Sequence, residues 1–328
     1  MDLRQLRYFI AIVEAKSFSR AAVSLRVAQP ALSLHVRNME ADLRTELLLR
    51  TPQGVFPTPA GELLLERARA LVADFEAMKQ AVSDHGSEPA GEVRLGLPGT
   101  IGEMLSVPLI LKTRTAYPRI HLKVAEAMSG FVLEWLHEGR VDLGLLYIPV
   151  DERGLTSEPV VEEGLCLFAP AAGLAGVETP APGSVSLEAI CHLPLVLPGT
   201  GHGLRSLIDA RMERQGLGFS TVFEVDSYSV IKELVERGVG YSILPVNAVA
   251  PDVEAGRFRC WSIGTPALTR TVHLVRSCDR PASKAMAAVE ALCRDVLAEL
   301  IGTGQWRAEL AGPSPRPPCP GDGQDAAH

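Results

Sequence analysis

Aromatic side chains make up only 5% of this 328-residue chain, and no apolar run reaches the roughly 18–20 residues that a bilayer-spanning helix needs. The start, Met1-Asp2-Leu3-Arg4, has neither the basic nor the apolar region of a signal peptide, so the expected location is the cytoplasm, with no membrane partner. The six cysteines (Cys166, Cys191, Cys260, Cys278, Cys293 and Cys319) contain no Cys-x-x-Cys and no Cys/His pair at finger spacing. They read as reduced, mostly packing thiols; a redox-sensing pair is the alternative, and the spacing does not favour it. His121, His137, His192, His202 and His273 stand apart from one another, so no metal site is expected. Absent too are a Gly-x-Ser-x-Gly elbow, a His-Glu-x-x-His helix, a Walker loop and a Gly-x-Gly-x-x-Gly after a strand. Gly199-Thr200-Gly201-His202-Gly203 is glycine-rich but lacks the lysine of a phosphate loop. These absences argue against an enzyme and against a cofactor.

What is present is uneven. Net charge is −7, yet residues 1–58 hold eight Lys/Arg against five acids, a head of +3 on an acidic remainder. A mildly basic module on an acidic body fits DNA binding by the head alone. Within the head, Ser17 to Arg37 reads as two short helices around a tight corner. The first covers Arg20–Leu25, with Ser17 or Ser19 as N-cap, and Ala21 and Ala22 let a second helix cross closely. Arg26-Val27-Ala28 is the corner. The second helix starts near Gln29 with Pro30 in its first turn, where a missing N–H costs nothing. Leu32, Val36, Met39 and Leu43 recur at the core-facing period, while Gln29, Ser33 and Arg37 fall on the opposite side. Gln, Ser and Arg can read base edges in a major groove. A helix presenting them after a tight corner is a helix-turn-helix recognition helix; the plainer reading is a solvated polar face on an ordinary helix pair. Leu3, Leu6, Phe9, Ile10 and Val13 form the apolar face of a preceding helix. Leu47–Arg50 and Val55–Thr58 flank Pro52-Gln53-Gly54 and read as a small hairpin, or wing, whose Arg50 and Gln53 can approach phosphate or the minor groove. Arg20 joins these as a DNA-facing candidate.

The order Phe18-Ser19-x-Ala21-Ala22, Ala28-Gln29-Pro30-Ala31-Leu32-Ser33, Met39-Glu40, Leu47, Arg50, Thr58 and Ala60-Gly61 resembles the LysR-type transcriptional regulators over residues 2–64. The resemblance implies a winged helix-turn-helix on duplex promoter DNA, with Gln29, Pro30, Ser33 and Arg37 at the groove. There are departures. Arg44 stands where the family usually has Gly, Leu48 where it often has Phe, and Leu34 where a polar residue is common. Leu34 suits a thymine methyl.

Thr58 and Pro59 open a long helix in which Leu64, Ala68, Leu71, Phe75, Met78 and Val82 make a heptad seam. The expectation is pairing with a second copy, so that two heads read an inverted repeat; docking on its own domain is the alternative. Gly86–Gly91 is the expected hinge. Beyond it, strands Val93–Leu97, Ile120–Glu126 and Val141–Tyr147 alternate with helices Ile101–Tyr117 and Phe131–Glu138. A second set runs Leu165–Ala169, Leu195–Leu197, helix Leu204–Arg214, Thr221–Val225, helix Val230–Arg237 and Tyr241–Leu244. Strands Phe258–Ile263 and Thr271–Val275 and an amphipathic helix Ala285–Leu300 close the body. Alternation predicts parallel sheets with right-handed crossovers, hence two α/β lobes around a cleft.

The body resembles the co-inducer domain of the same family, itself similar to periplasmic binding proteins, through Gly238-x-Gly240-x-x-x-Leu244-Pro245, Gly139-Arg140-Val141-Asp142-Leu143 and Tyr117-Pro118. The predicted domains are therefore a winged helix-turn-helix (1–58), a linker helix and hinge (59–90), an effector domain (91–300) and a disordered tail (301–328). Lobe I of the effector domain takes 91–160 and 267–300, and lobe II takes 161–266. Strand ends and helix N-termini at Pro98-Gly99-Thr100, Ser129, Thr200-Gly201 and Ser227 are candidate ligand contacts, each with a plain N-cap as its bland alternative. Thr100 is where the resemblance places an effector. A capping box is expected at Thr100 and Glu103, and the expected ligand is a small anionic or polar metabolite. The resemblance also implies a dimer of dimers, contact with RNA polymerase and residence at the nucleoid. Arg50-Thr51-x-x-Gly54-Val55-x-Pro57-Thr58 and Gly96–Thr100 look most like its nitrogen-assimilation-control branch. The alternative that stays open is a regulator of nitrogen or amino-acid genes that needs no effector.

Overall fold

A computed structural model describes residues 1–83, 88–152, 154–278 and 282–312. The head comprises α1 (Leu3–Ala15), α2 (Phe18–Leu25), α3 (Gln29–Leu43) and a hairpin of β1 (Leu48–Thr51) and β2 (Gly54–Pro57). Its core gathers Phe9, Ile12, Ala21, Leu32, Val36 and Met39. Leu43, expected on that face, is 42% exposed, because α3 ends there and the chain turns away. Each of the three helices stops on a basic residue in the left-handed region: Lys16 (φ 49°), Arg26 (φ 55°) and Arg44 (φ 53°). Cations suit the negative end of the helix dipole, but the conformation is one that glycine adopts more readily. The glycine that the resemblance leads one to expect at position 44 thus has a backbone reason. Glu40 of α3 holds the wing, its Oε1 accepting from Leu47 N (2.9 Å) and Leu48 N (3.3 Å).

The linker is α4 (Pro59–Ser83), opened by Thr58, whose hydroxyl accepts from Gly61 N at 3.0 Å. Gly61 has to be glycine: a Cβ there would lie 2.0 Å from the Leu47 carbonyl oxygen. The expected single seam is divided. Ala68 is fully buried in the chain's own head, and Leu64 packs there too. Leu71, Phe75 and Met78 remain exposed. The side chain of Val82 and the first two residues of the expected hinge (86 and 87) lie outside the described residues. Arg69 of α4 joins head to body, pairing with Glu14 of α1 and with Glu138, both at 3.1 Å.

The body continues with β3 (Gly91–Leu97), α5 (Gly99–Ala116), β4 (Ile120–Glu126), α6 (Ser129–His137), β5 (Leu143–Leu146) and a long β6 (Leu155–Pro170). Then come β7 (Ser184–Val185), α7 (Leu187–Ile190), β8 (Leu195–Leu197), α8 (Gly203–Glu213), β9 (Thr221–Glu224) and α9 (Tyr228–Glu236). The chain closes with β10 (Ser242–Pro245), α10 (Val246–Glu254), β11 (Phe258–Ile263), β12 (Thr269–Ser277), α11 (Lys284–Gly302) and β13 (Ala308–Leu310). Strands β4, β3 and β5 are parallel, as are β8 and β9, but β12 enters antiparallel between β5 and β6. β6 runs through both lobes, pairing β12 and β13 along its first part and β10 and β11 along its second. The two lobe cores part between Val161 and Leu165 and again between Leu268 and Val272. Val161 therefore belongs with lobe I and Leu268 with lobe II, a few residues from the expected divisions.

Residues 301–312 correct the expected tail. Ile301 and Gly302 finish α11, Trp306 is 1% exposed, and β13 pairs with β6. A tryptophan that donates to Glu163 (Nε1–Oε1 3.2 Å) inside the lobe I core fixes the segment; residues 313–328 lie outside the described residues. Among the described residues Cys166, Cys191, Cys260 and Cys293 are free, but Cys278 is disulfide-bonded, against the expectation of six reduced thiols. No described helix is long and apolar enough to cross a membrane.

Candidate functional site

The first candidate surface is the outer face of α3. Ser17 caps α2, accepting from Arg20 N at 3.3 Å, and the left-handed Arg26 turns the chain so that α3 begins at Gln29 with Pro30 in its first turn. Gln29 and Ser33 lie one turn apart and are joined Nε2–Oγ at 2.9 Å; Arg37 follows one turn later, exposed. Pro30 is exposed beside them, and Leu34 is 54% exposed. The wing extends this surface. Arg50 lies with its guanidinium carbon 4.4 Å from the centroid of the Phe18 ring, and Gln53 sits at the hairpin tip. Lys16, Arg20 and Arg50 border a hollow of about 430 Å³ between α2 and the wing. None of these three, nor Arg37, has a carboxylate partner among the described residues, whereas Arg7 pairs with Glu76. Cations left unpaired on one face are available to phosphates.

The second is a cleft of about 910 Å³ between the lobes. Gly99, Thr100, Ser129, Gly201 and Ser227 all border it; Thr200 does not. Thr200 belongs to the turn ahead of α8, whose N-cap is His202. The bland alternative fails for three of the hydroxyls. α5 starts from Pro98 and shows no side-chain cap, so the Thr100–Glu103 capping box is not formed. Thr100 instead bonds the Tyr147 hydroxyl at 2.8 Å. Ser129 accepts from Tyr147 N at 3.2 Å, and Ser227 meets Ser229 Oγ at 3.0 Å without capping α9.

Tyr147 and Arg270 organise lobe I's side of the cleft, and sequence reasoning missed both. Arg270 Nη2 donates to the Tyr147 hydroxyl at 2.8 Å, and its guanidinium stacks on that ring at 3.6 Å. Its charge is matched by Glu163, Nη2–Oε2 2.6 Å, and both side chains are 3% exposed. Glu163 also accepts from Asn247 Nδ2 (2.7 Å) on lobe II and from Trp306. Burial pushes the Tyr147 phenol well up, against the pull of Arg270, so it stays protonated. Burial lowers the His202 imidazole, and its Nδ1 accepts from Leu204 N at 3.1 Å; both keep that ring neutral. Arg205, a turn into α8, is spent on Asp209 (2.8 Å) and Glu224 (2.9 Å). Arg270 left no trace in local pattern because β12 reaches the cleft only by pairing with β6, about a hundred residues earlier.

Comparison with known proteins agrees with this division. Residues 3–62 match the family described as bacterial regulatory helix-turn-helix protein, lysR family, and residues 86–298 match the LysR substrate binding domain. The chain is 30% identical over 275 residues to the nitrogen assimilation regulatory protein nac of Klebsiella aerogenes, covering 84% of this chain and 88% of that one. A full-length OxyR variant from Pseudomonas aeruginosa superposes with a TM-score of 0.75 at 23% identity, over 96% of this chain and 99% of that one. Full-length CbnR in complex with its target DNA does so at 0.62 and 21%, over 90% of this chain and all of that one. Those two likenesses establish the fold. The matched families are regulatory, and neither is an enzyme family. With head and body both matched, in order and nearly end to end, the protein belongs to the LysR family of transcriptional regulators.

Proposed function

We propose that the chain binds an inverted-repeat promoter site as a paired molecule and responds to a small-molecule effector in the interlobe cleft. The observation that carries the DNA half is the set of cations without a carboxylate partner among the described residues, Arg20, Arg37 and Arg50, around the outward row Gln29, Ser33 and Leu34. Arg37 reads a base edge, Leu34 meets a thymine methyl, and Arg20, Arg50 and Gln53 hold phosphates. The similarly folded CbnR, crystallised with its target DNA, supports the reading.

Pairing follows from apolar surface left uncovered in one chain. Leu71, Phe75 and Met78 of α4 are such a surface, and α4 is long enough to carry two heads to two half-sites. Val107, Ile110 and Leu111 on α5 of lobe I, with Phe223 and Val230 on lobe II, offer a second contact through which dimers join into a tetramer. Effector binding closes the lobes, changes the angle between the paired heads, and so alters access of RNA polymerase. A ligand does this only through unequal affinity for the two states.

The test is fluorescence anisotropy on labelled duplexes, with Arg37→Ala beside the parent protein and sizing to confirm that the assembly is intact. Loss of preference for the operator over random duplex is expected. Unchanged binding to both duplexes would remove the head from DNA recognition and favour a protein partner for it.

A further inference from the structure

Among the described residues, every charge that borders the cleft, apart from Arg270, is negative: Glu103, Glu126, Glu134 and Asp226. None of the four has a cationic partner among the described residues. Arg270 does not balance them, since Glu163 already cancels it inside the protein and its Nε and Nη2 donors are used on Glu163, Tyr147 and Thr100. His202 is neutral, its Nδ1 being an acceptor.

The helix N-termini that turn toward the cleft would favour an anion, so their size decides the matter. Four helices, α5, α6, α8 and α9, begin at its border. At roughly half a charge each they offset about two of the four carboxylates. Two of the corners are moreover already served. The Asp226 carboxylate accepts from Gly199 N at 2.9 Å, and Glu126 lies against the first turn of α5, where a Cβ built on Gly99 would be 2.8 Å from its Oε1. The remaining field is negative. The wall beside these acids is apolar and open to solvent: Met128 is 50% and Phe131 51% exposed, with Ile148 and Leu204 next along the border.

We infer that the cleft takes a small organic amine, its ammonium among Glu126, Asp226 and their neighbours and its apolar stem along Met128 and Phe131. This rests on the reading of the cleft as an effector site and takes the polar branch, not the anionic one, of the small anionic or polar metabolite expected from the sequence. The carboxylates decide what the cavity accepts; the cavity itself comes from the two lobes.

The experiment titrates the full chain calorimetrically at low salt with three probes of one size: tyramine, 4-(2-hydroxyethyl)phenol and 3-(4-hydroxyphenyl)propionate. Contact with one carboxylate is worth roughly fivefold under water-like screening, so tyramine should bind at least about tenfold more tightly than the acid. The gap should narrow with added salt and fall to within about threefold in Glu126→Gln/Asp226→Asn, and partway in Glu103→Gln/Glu134→Gln. Tighter binding of the acid overturns the amine and leaves the cleft an effector site. Amine binding that neither double variant changes, with both variants folded by thermal melt, overturns the assignment to this cleft. No binding by any probe, nor by alkyl analogues carrying the same three head groups, overturns the amine and the effector reading together.

Discussion

The DNA-facing row of the head and the border of the cleft are built on opposite terms. The row comes from one stretch, Gln29 to Arg37, on one helix, and its one cation, like Arg20 and Arg50 beside it, is left without a carboxylate partner among the described residues. The cleft draws on α5, α6, α8, α9 and β12 and on Tyr147 just after β5, from Pro98 to Arg270, and the one arginine that borders it among the described residues is bound up in the protein's own hydrogen bonds. A surface that meets a polyanion needs charges that are free, and its partner desolvates them only on contact. A buried arginine needs its counter-charge built in, because an uncompensated one costs several kcal/mol. Single substitutions should accordingly be silent for stability in the head and costly in the cleft.

The largest effect should come from breaking the buried pair. Glu163→Leu leaves Arg270 charged and unmatched and also removes the acceptor for Trp306 and Asn247. A loss of about 3–5 kcal/mol is expected in urea unfolding, with Glu163→Leu/Arg270→Met recovering much of it. A single variant as stable as the parent would show that the pair is not what holds the lobes. Next is Arg37→Ala, which should weaken operator binding by about 1–3 kcal/mol while shifting unfolding by no more than about 0.5 kcal/mol. Equal losses on operator and random duplex would make Arg37 a phosphate contact. Arg50→Ala should act in that second way, lowering the salt slope of binding by about 1 without changing preference. Thr100→Val comes below these. It removes the bond to Tyr147, costs about 1 kcal/mol of stability, keeps DNA binding and abolishes the effector response; a full response in this variant would take Thr100 out of the site.

The same contrast explains what is legible in the sequence. The helix-turn-helix is legible because everything that makes it is local: Ser17 as cap, small Ala21 and Ala22, Pro30 in a first turn, apolar residues at helical spacing. The wing is legible from the Pro-Gln-Gly turn. In the body, β3, β4, α5 and α8 announce themselves through period and flanking turns. β6 does not, since Glu158, Glu162 and Glu163 interrupt its first half and only Leu165–Ala169 looks like a buried strand. The hub that Glu163 forms with Arg270, Asn247 and Trp306 joins positions spread over more than a hundred residues. No spacing rule reaches that far. Residues 303–312 mislead in the same way: the proline-rich stretch after them colours their composition, while Trp306 and the pairing of β13 with β6 fix their place.

The smallest prediction concerns Arg44, the departure from the family's usual glycine. Its φ of 53° closes α3 with Thr45 N donating to Glu40 O at 3.1 Å, so the left-handed residue is needed for the chain to turn back toward the wing. For a non-glycine residue that conformation costs about 1–2 kcal/mol. Glycine would relieve this, but it loses about 0.5–1 kcal/mol more in chain entropy on ordering, and the cation at the helix end is worth a few tenths to about 1 kcal/mol. The terms nearly cancel, leaving Arg44→Gly between neutral and about 0.5 kcal/mol more stable in denaturant unfolding of the head. A clear loss of stability would mean that the dipole contribution exceeds the backbone strain. If operator affinity fell at unchanged stability instead, the arginine would be retained as one more free cation on the DNA side, extending to α3's far end the rule that separates head from cleft.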